Sequence, residues 1–203
     1  MRVGVLVSGR GSNLRALLDA LPAGGSPARV VCVLTNRPGC AALDHARSAG
    51  VPAHAFAKSE YASRADRDAA MAEMLDQAGV DLVVLAGYDE VLGPAVLQPY
   101  AGRVINVHPS LLPAFAGTLH AQEAALRHGV KVSGCTIHYV TEDVDGGPII
   151  AQAAAPVLDD DDVERLSGRI LEQEHRLLPH VVMLIAEGRV QLDGRRVRVD
   201  DAP

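Results

Sequence analysis

A short polar motif at the end of an apolar run is the part of this chain best suited to chemistry. Asn106 and His108 stand two residues apart, and Pro109-Ser110-Leu111-Leu112-Pro113 follows. Side chains at positions i and i+2 of a strand share a face, so the amide and the imidazole would point together. The two prolines disfavour regular structure and open the chain into a loop. We predict a polar pair that acts on one reacting oxygen, against the alternative of an ordinary strand-end histidine.

Two further loops carry residue types found in binding and catalytic sites. The stretch Ser8-Gly9-Arg10-Gly11-Ser12-Asn13 separates a predicted strand from a predicted helix, where free N–H groups and the helix dipole favour an anion. It lacks the Walker and dinucleotide patterns and suits a single phosphate, although a plain turn with Ser12 as helix N-cap is an equal alternative. Asp145 stands in a glycine-rich turn, where its carboxylate could face an imidazole or only stabilise the turn.

Apolar runs of strand length alternate with helical spacing along the first half of the chain. Strands are predicted at 3–7, 29–34, 52–56, 82–86 and 104–108, and helices from Leu14 and at 41–49, 64–78 and 94–98. Strands that are apolar on both faces and alternate with helices indicate a parallel sheet covered on both sides. We predict an α/β fold with a doubly wound, mostly parallel, Rossmann-like sheet.

The second half of the chain is predicted to add antiparallel elements. We expect a helix at 120–127, strands at 132–140 and 148–157, a long helix at 163–186 and a terminal hairpin at 190–199. Pro179 should kink or divide the long helix. In the helix at 64–78 we expect the inward residues to be Ala69, Met71, Met74 and Leu75. We treat residues 1–203 as one domain with a phosphate-binding half, 1–100, and a catalytic half, 101–203.

Composition excludes several classes of function. The net charge is −6, aromatic residues make up 3% and tryptophan is absent, so a nucleic-acid partner is not expected. The three cysteines lack metal or redox spacing and indicate a reducing compartment. No stretch approaches the roughly 20 apolar residues of a membrane span. His120, His128 and His175 have no partners at metal-ligand spacing, so we expect a cytoplasmic enzyme without a metal.

Six motifs in order make the chain resemble the phosphoribosylglycinamide formyltransferases, folate-dependent enzymes of purine synthesis. The likeness runs from Val3 to about Val190. The motifs are Ser8-Gly9-x-Gly11-Ser12-Asn13, Leu85-Ala86-Gly87-Tyr88, Asn106-x-His108-Pro109-Ser110-Leu111-Leu112-Pro113, Gly134-Cys135-Thr136-x-His138, Val144-Asp145-Gly146-Gly147-Pro148 and Glu174-His175.

The resemblance implies a role for each part of the site. It implies that Asn106, His108 and Asp145 are catalytic, that Gly11, Ser12 and Asn13 hold the substrate phosphate, and that Glu174 contacts glycinamide ribonucleotide. It implies 10-formyltetrahydrofolate as cosubstrate and a monomer or homodimer. The residues implied in folate binding are Arg64, Leu85, Tyr88, Asp89, Glu90, Val91, Leu92, Val140, Thr141 and Val144.

The reaction that the resemblance implies gives a role to each of Asn106, His108 and Asp145. The glycinamide amine attacks the formyl carbon, and the oxygen of the tetrahedral intermediate is stabilised by Asn106 and by protonated His108. Asp145 favours the imidazolium and passes a proton through water. Two positions depart from the family: Asp89-Glu90 stands where Met-Arg is usual, and Leu171 where a Lys or Gln is frequent. We expect these departures to affect affinity more than reaction type.

Three alternatives compete with this interpretation. A formyltetrahydrofolate hydrolase shares the Asn-x-His and Asp-Gly loops but has an added N-terminal regulatory domain, which we do not find. A methionyl-tRNA formyltransferase would have a basic C-terminal domain and a different proline loop. A non-catalytic nucleotide-binding α/β module would bind the substrate without folate-dependent turnover.

Overall fold

Apolar and β-branched runs form the strands where the sequence predicts them. The computed structural model describes residues 1–22 and 24–200 of the chain. The strands are β1 (Arg2–Val7), β2 (Arg29–Thr35), β3 (Ala53–Ala55), β4 (Leu82–Leu85), β5 (Val104–His108), β6 (Val132–Tyr139), β7 (Ile149–Pro156), β8 (Val190–Asp193) and β9 (Arg196–Val199). Every predicted strand and the terminal hairpin are confirmed, with ends that differ by at most one residue.

The helices also follow the predicted order. They are α1 (Ser12–Ala20), α2 (Ala42–Ser48), α3 (Arg64–Gln77), α4 (Pro94–Leu97), α5 (Ala121–His128) and α6 (Val163–Ala186), with one 3₁₀ turn at Lys58–Glu60. Two helices begin at capping side chains, because Ser63 accepts from the Asp66 N–H and Asp162 from the Arg165 N–H. None of the described helices is long and apolar enough to cross a membrane.

Parallel pairing dominates the larger sheet. Across the described residues its strands follow the order β3-β2-β1-β4-β5-β6-β7, and β8 and β9 form a separate two-stranded sheet. Strand β1 pairs in parallel with β2 and with β4, and β2 with β3. Strands β6 and β7 are antiparallel, with Thr136 opposite Gln152. The prediction of an α/β fold with a mostly parallel sheet and antiparallel additions is confirmed.

The chain divides into two compact units, Met1–Ile105 and Asn106–Pro203. In the first unit, side chains such as Val5, Leu14, Leu17 and Val84 are fully buried. In the second, α6 packs on β6 and β7, and its buried face includes Leu166, Ile170 and Leu178 at helical spacing.

Two predictions about helices are wrong in part. In α3 the buried residues are Arg67, Asp68, Met71 and Leu75, whereas Ala69 is exposed and Met74 is half-buried. The inward face therefore carries a charged pair that an apolar pattern does not reveal. Pro179 does not divide α6, which runs unbroken through it. The cost of the missing N–H is offset because the helix is held by a long buried face on both sides of the proline.

Candidate active site

Strand β5 brings the predicted polar pair together at its carboxyl end. Val107 is buried on one face, and Asn106 and His108 occupy the other. The His108 side chain is 6% exposed, and its Nδ1 lies 3.3 Å from Oδ2 of Asp145, whose side chain is 12% exposed. Both groups thus meet in a largely dry environment, where a charge interaction is stronger than in water.

The loop between β6 and β7 holds Asp145 in a constrained geometry. Asp145 has a φ of +52°, in the left-handed region that non-glycine residues rarely adopt. A Cβ on Gly147 would lie 1.8 Å from the Tyr139 carbonyl oxygen, so the loop needs a glycine there. The Gly117 N–H donates to Asp145 Oδ2 at 2.8 Å, which orients the carboxylate toward His108.

His138 fixes the orientation of the Asn106 amide. The His138 ring is 2% exposed, and its Nδ1 lies 3.0 Å from the Tyr139 carbonyl, so Nδ1 carries the proton in the neutral ring. Its Nε2 then accepts from Asn106 Nδ2 at 3.1 Å. Burial lowers the pKa of His138, more than the Tyr139 carbonyl and Asp145 raise it, which favours this neutral form. One Asn106 N–H is thereby occupied, and the other remains to donate to a substrate oxygen.

The segment after β5 is hydrogen-bonded to Thr136 of β6 and contacts the His108 ring. Thr136 Oγ1 accepts from the Leu112 N–H at 3.0 Å and donates to the Ser110 carbonyl at 2.7 Å. Further along, His108 Nε2 lies 3.2 Å from the Phe115 carbonyl, and Phe115 has a φ of +58°. Both ring nitrogens of His108 therefore lie close to oxygen atoms that can accept a hydrogen bond.

The predicted phosphate loop ends in a helix N-terminus that no side chain caps. The N-cap of α1 is Gly11, with a φ of +77°, and a glycine has no side chain that could accept from the first-turn N–H groups. The alternative in which Ser12 is the N-cap is therefore wrong, because Ser12 is already the first helical residue. A Cβ on Gly11 would lie 2.7 Å from the Ala42 Cβ, so this position needs glycine for both conformation and space. The first-turn N–H groups suit an anion such as a phosphate.

The loop after β4 is held by Asn36, Arg37 and Arg67, to which the sequence assigned no role. Asn36 Nδ2 donates to Asp89 Oδ1 at 2.8 Å and to Glu90 Oε1 at 3.0 Å. Glu90 also pairs with the buried Arg67 guanidinium, and Asp89 with Arg37. The hydrogen bond between the Arg67 and Glu90 side chains raises the pKa of Arg67 and lowers that of Glu90. Asp89 and Glu90, which stand where the resemblance leads us to expect Met-Arg, thus form ion pairs within the first unit.

The other residues predicted to bind folate differ in exposure. In the first unit Leu85, Tyr88 and Leu92 are buried, and the Tyr88 hydroxyl donates to Met71 Sδ at 3.7 Å. Burial raises the pKa of Tyr88 well above its usual range. Exposed positions in the same unit are Arg64, the first residue of α3, and Val91, which is 48% exposed.

Four predicted binding residues lie in the second unit. Val140 is half-buried, Thr141 is exposed, and Val144 is an apolar side chain 55% exposed. Glu174 is 5% exposed on the inner face of α6, where its charge helps to raise the pKa of Cys135. Among residues 1–22 and 24–200, no group of three or more His, Cys, Asp or Glu is placed to hold a metal ion.

Sequence reasoning missed two functional positions in the second unit. His138 was quoted within a motif but received no role, although its spacing from Thr136 puts both on one face of β6. The Phe115 carbonyl contact with His108 carries no sequence signal, because a backbone oxygen is present at every residue.

Comparisons with known proteins identify the family of this chain. The formyl transferase family profile matches residues 1–182. The chain belongs to the formyl transferase family. It is similar to phosphoribosylglycinamide formyltransferase from Escherichia coli, with 39% identity over 204 residues that cover 97% of this chain and 96% of the relative.

Two other similarities extend the family assignment. The trifunctional purine biosynthetic protein adenosine-3 from Bos taurus is 44% identical over 191 residues, which cover 94% of this chain but only 19% of the relative's length. The solved structure of glycinamide ribonucleotide transformylase 1 from Symbiobacterium toebii is 52% identical with a TM-score of 0.96, covering 99% of this chain and 94% of that chain.

Proposed function

We propose that this formyl transferase moves the formyl group of 10-formyltetrahydrofolate to the amine of glycinamide ribonucleotide. The observation that carries the proposal is the contact of His108 with Asp145, beside an Asn106 amide oriented by His138. Transfer of an acyl group to a neutral amine needs a donor for the developing oxyanion and a path for one proton, and these side chains supply both.

Asn106 is assigned the largest contribution to the chemical step. His138 accepts one of its amide hydrogens, so the other points in a fixed direction without reorganisation during the reaction. His108 adds a second donor when a ring N–H exchanges its oxygen partner for the formyl oxygen. Asp145 stabilises the imidazolium and relays, through water, the proton that leaves the attacking amine for the folate nitrogen.

The remaining predicted residues are assigned to binding. The uncapped start of α1, with Gly11, Ser12 and Asn13, suits the substrate phosphate, and Glu174 suits a polar group of the ribonucleotide. The folate contacts are assigned to Arg64 with residues 85 and 88–92 of the first unit, and to Val140, Thr141 and Val144 of the second. We propose a cytoplasmic enzyme that acts as a monomer or homodimer without a metal or nucleic-acid partner.

A turnover assay tests the proposal. Purified protein is mixed with glycinamide ribonucleotide and 10-formyltetrahydrofolate, and folate release is followed by absorbance with and without the amine. We expect release only with the amine, and a loss of about 100-fold or more in kcat for Asn106→Ala. Gln191→Ala, which removes an exposed amide from β8, is the matched control and should leave kcat unchanged.

The same assay separates the alternatives. Folate release that ignores the amine would identify a formyltetrahydrofolate hydrolase. Saturable binding of the ribonucleotide without turnover would identify a non-catalytic module. An Asn106→Ala variant with nearly full kcat would contradict the assigned roles.

A further inference from the structure

The C-terminal hairpin is tied to the loop that carries Asp145. Arg195 lies in the turn between β8 and β9, and its Nη1 donates to the Gly146 carbonyl at 2.8 Å. Gly146 directly follows Asp145 in the chain, although Arg195 is 49 residues away. The hydrogen bond therefore holds the Gly146–Gly147 peptide, which is one peptide unit beyond Asp145.

The Gly117 N–H already holds the Asp145 carboxylate from outside the loop, and Arg195 adds a tie to the loop backbone. Asp145 has a φ of +52°, and a strained residue persists only when its surroundings hold it. Hydrogen bonds within the loop, such as Gly146 N–H to the Asp143 carbonyl at 3.0 Å, shape the turn but do not anchor it. A groove of about 430 Å³, lined by Gly147, Ile149 and residues 195–198, lies where the hairpin meets the loop. The Arg195 hydrogen bond connects the two segments that line this groove.

We infer that Arg195 is a positioning residue for formyl transfer, one that holds Asp145 in register with His108 through the Gly146 carbonyl. The inference rests on the proposed function. It assigns this role to Arg195 alone among the hairpin residues, although the family profile ends at residue 182. The charge of the donor strengthens the bond, but its exposure weakens it, so the effect should be moderate.

The hairpin offers its own matched control. Arg196 is an exposed arginine next in the chain, on β9, and no hydrogen bond joins it to the loop among the described residues. Arg196→Ala thus removes the same charge from the same surface without removing the tie. Arg195→Lys retains a charged donor, although the ammonium is not the planar fork of arginine.

Steady-state kinetics measure the effect. We expect Arg195→Ala to lower kcat about tenfold, since a small misplacement of a catalytic group is costly, with an unchanged KM for glycinamide ribonucleotide. Arg195→Lys should recover part of kcat, and Arg196→Ala should match the wild type. In an Asp145→Asn background, Arg195→Ala should cause no further loss, because it acts through Asp145. Equal kcat values for the Arg195→Ala and Arg196→Ala variants, or independent losses in the double variant, would overturn the inference.

Hydrogen exchange gives a readout that does not depend on activity. Peptides that span residues 142–147 should exchange faster in Arg195→Ala than in Arg196→Ala or the wild type. Unchanged exchange in Arg195→Ala overturns the inference. A wild-type protein without folate-dependent turnover would refute the proposed function, and the exchange comparison would still decide whether Arg195 holds the loop.

Discussion

Replacing Glu90 by alanine removes the carboxylate that faces a buried guanidinium in the first unit. The Arg67 side chain is 2% exposed, and Glu90 and Asp68 both lie near it, Asp68 at 3.8 Å. Breaking a fully buried ion pair costs about 3–5 kcal/mol, because one charge is left without compensation. Glu90 is 32% exposed and Asp68 remains, so the loss in unfolding free energy should be smaller, about 1.5–3 kcal/mol.

Thermal and denaturant unfolding measure this loss. For a chain of this size each kcal/mol lowers Tm by about 2–4 °C, so Glu90→Ala should lower Tm by about 3–12 °C. The pair-specific contribution comes from a double-mutant cycle with Arg67→Met. The double variant should be less destabilised than the sum of the single variants by about 1–3 kcal/mol, since the pair is lost only once.

An exposed carboxylate on the same helix serves as the control. Glu73→Ala removes a charge from the outer face of α3 and should change stability by less than about 0.5 kcal/mol. If Glu90→Ala matches Glu73→Ala, or if the Glu90 and Arg67 substitutions add within about 0.5 kcal/mol, the pair does not organise this loop as described.

Three further predictions test other parts of the molecule. Gly11→Ala should weaken ribonucleotide binding and lower Tm, because the added Cβ would meet Ala42 at 2.7 Å; an unchanged Kd and Tm would contradict the constraint at this turn. Stability should fall as pH drops from 7 to 5. Burial lowers the pKa of His138 in the folded chain, so below about pH 6.5 the unfolded chain takes up the proton first. The free energy of unfolding should therefore fall by up to about 1.4 kcal/mol per pH unit. His138→Gln should reduce that slope in unfolding curves, and an equal slope would refute the assignment. Iodoacetamide at pH 8 should label half-buried Cys40 first, because burial raises the pKa of Cys32 to about 11 and of Cys135 to about 12; equal labelling rates at all three thiols in the native protein would refute this.

Local patterns predicted the elements well because apolar periodicity and turn residues act over a few positions. Strand β5 and helix α6, for example, have the predicted bounds. The same logic failed for the inner face of α3. Arg67 and Asp68 lie there because Glu90 accepts hydrogen bonds from the Arg67 guanidinium and the Gly93 N–H donates to Asp68, and such partners cannot be read from the helix itself.

In the candidate site, too, local features could be predicted from the sequence and long-range contacts could not. The alternation of β5 predicts that Asn106 and His108 share a face, but the role of His138 depends on which side chains two neighbouring strands bring together. The ion pairs of Asp89 and Glu90 likewise depend on Arg37 and Arg67, more than 20 residues away in the chain. Long-range partners of this kind set the orientation of a site whose composition the sequence already indicates.

The Phe115 carbonyl beside His108 has a consequence for selectivity. A neutral backbone oxygen already occupies the ring nitrogen, so an incoming oxygen must compete with it for the same hydrogen. Water or an uncharged carbonyl gains little by that exchange, because the bond it would form resembles the bond it displaces. An oxygen that is acquiring negative charge forms a stronger, charge-assisted bond and can displace the Phe115 carbonyl from the ring nitrogen. Under the role proposed for His108, the Phe115 carbonyl would thus help to favour the transition state over the ground state.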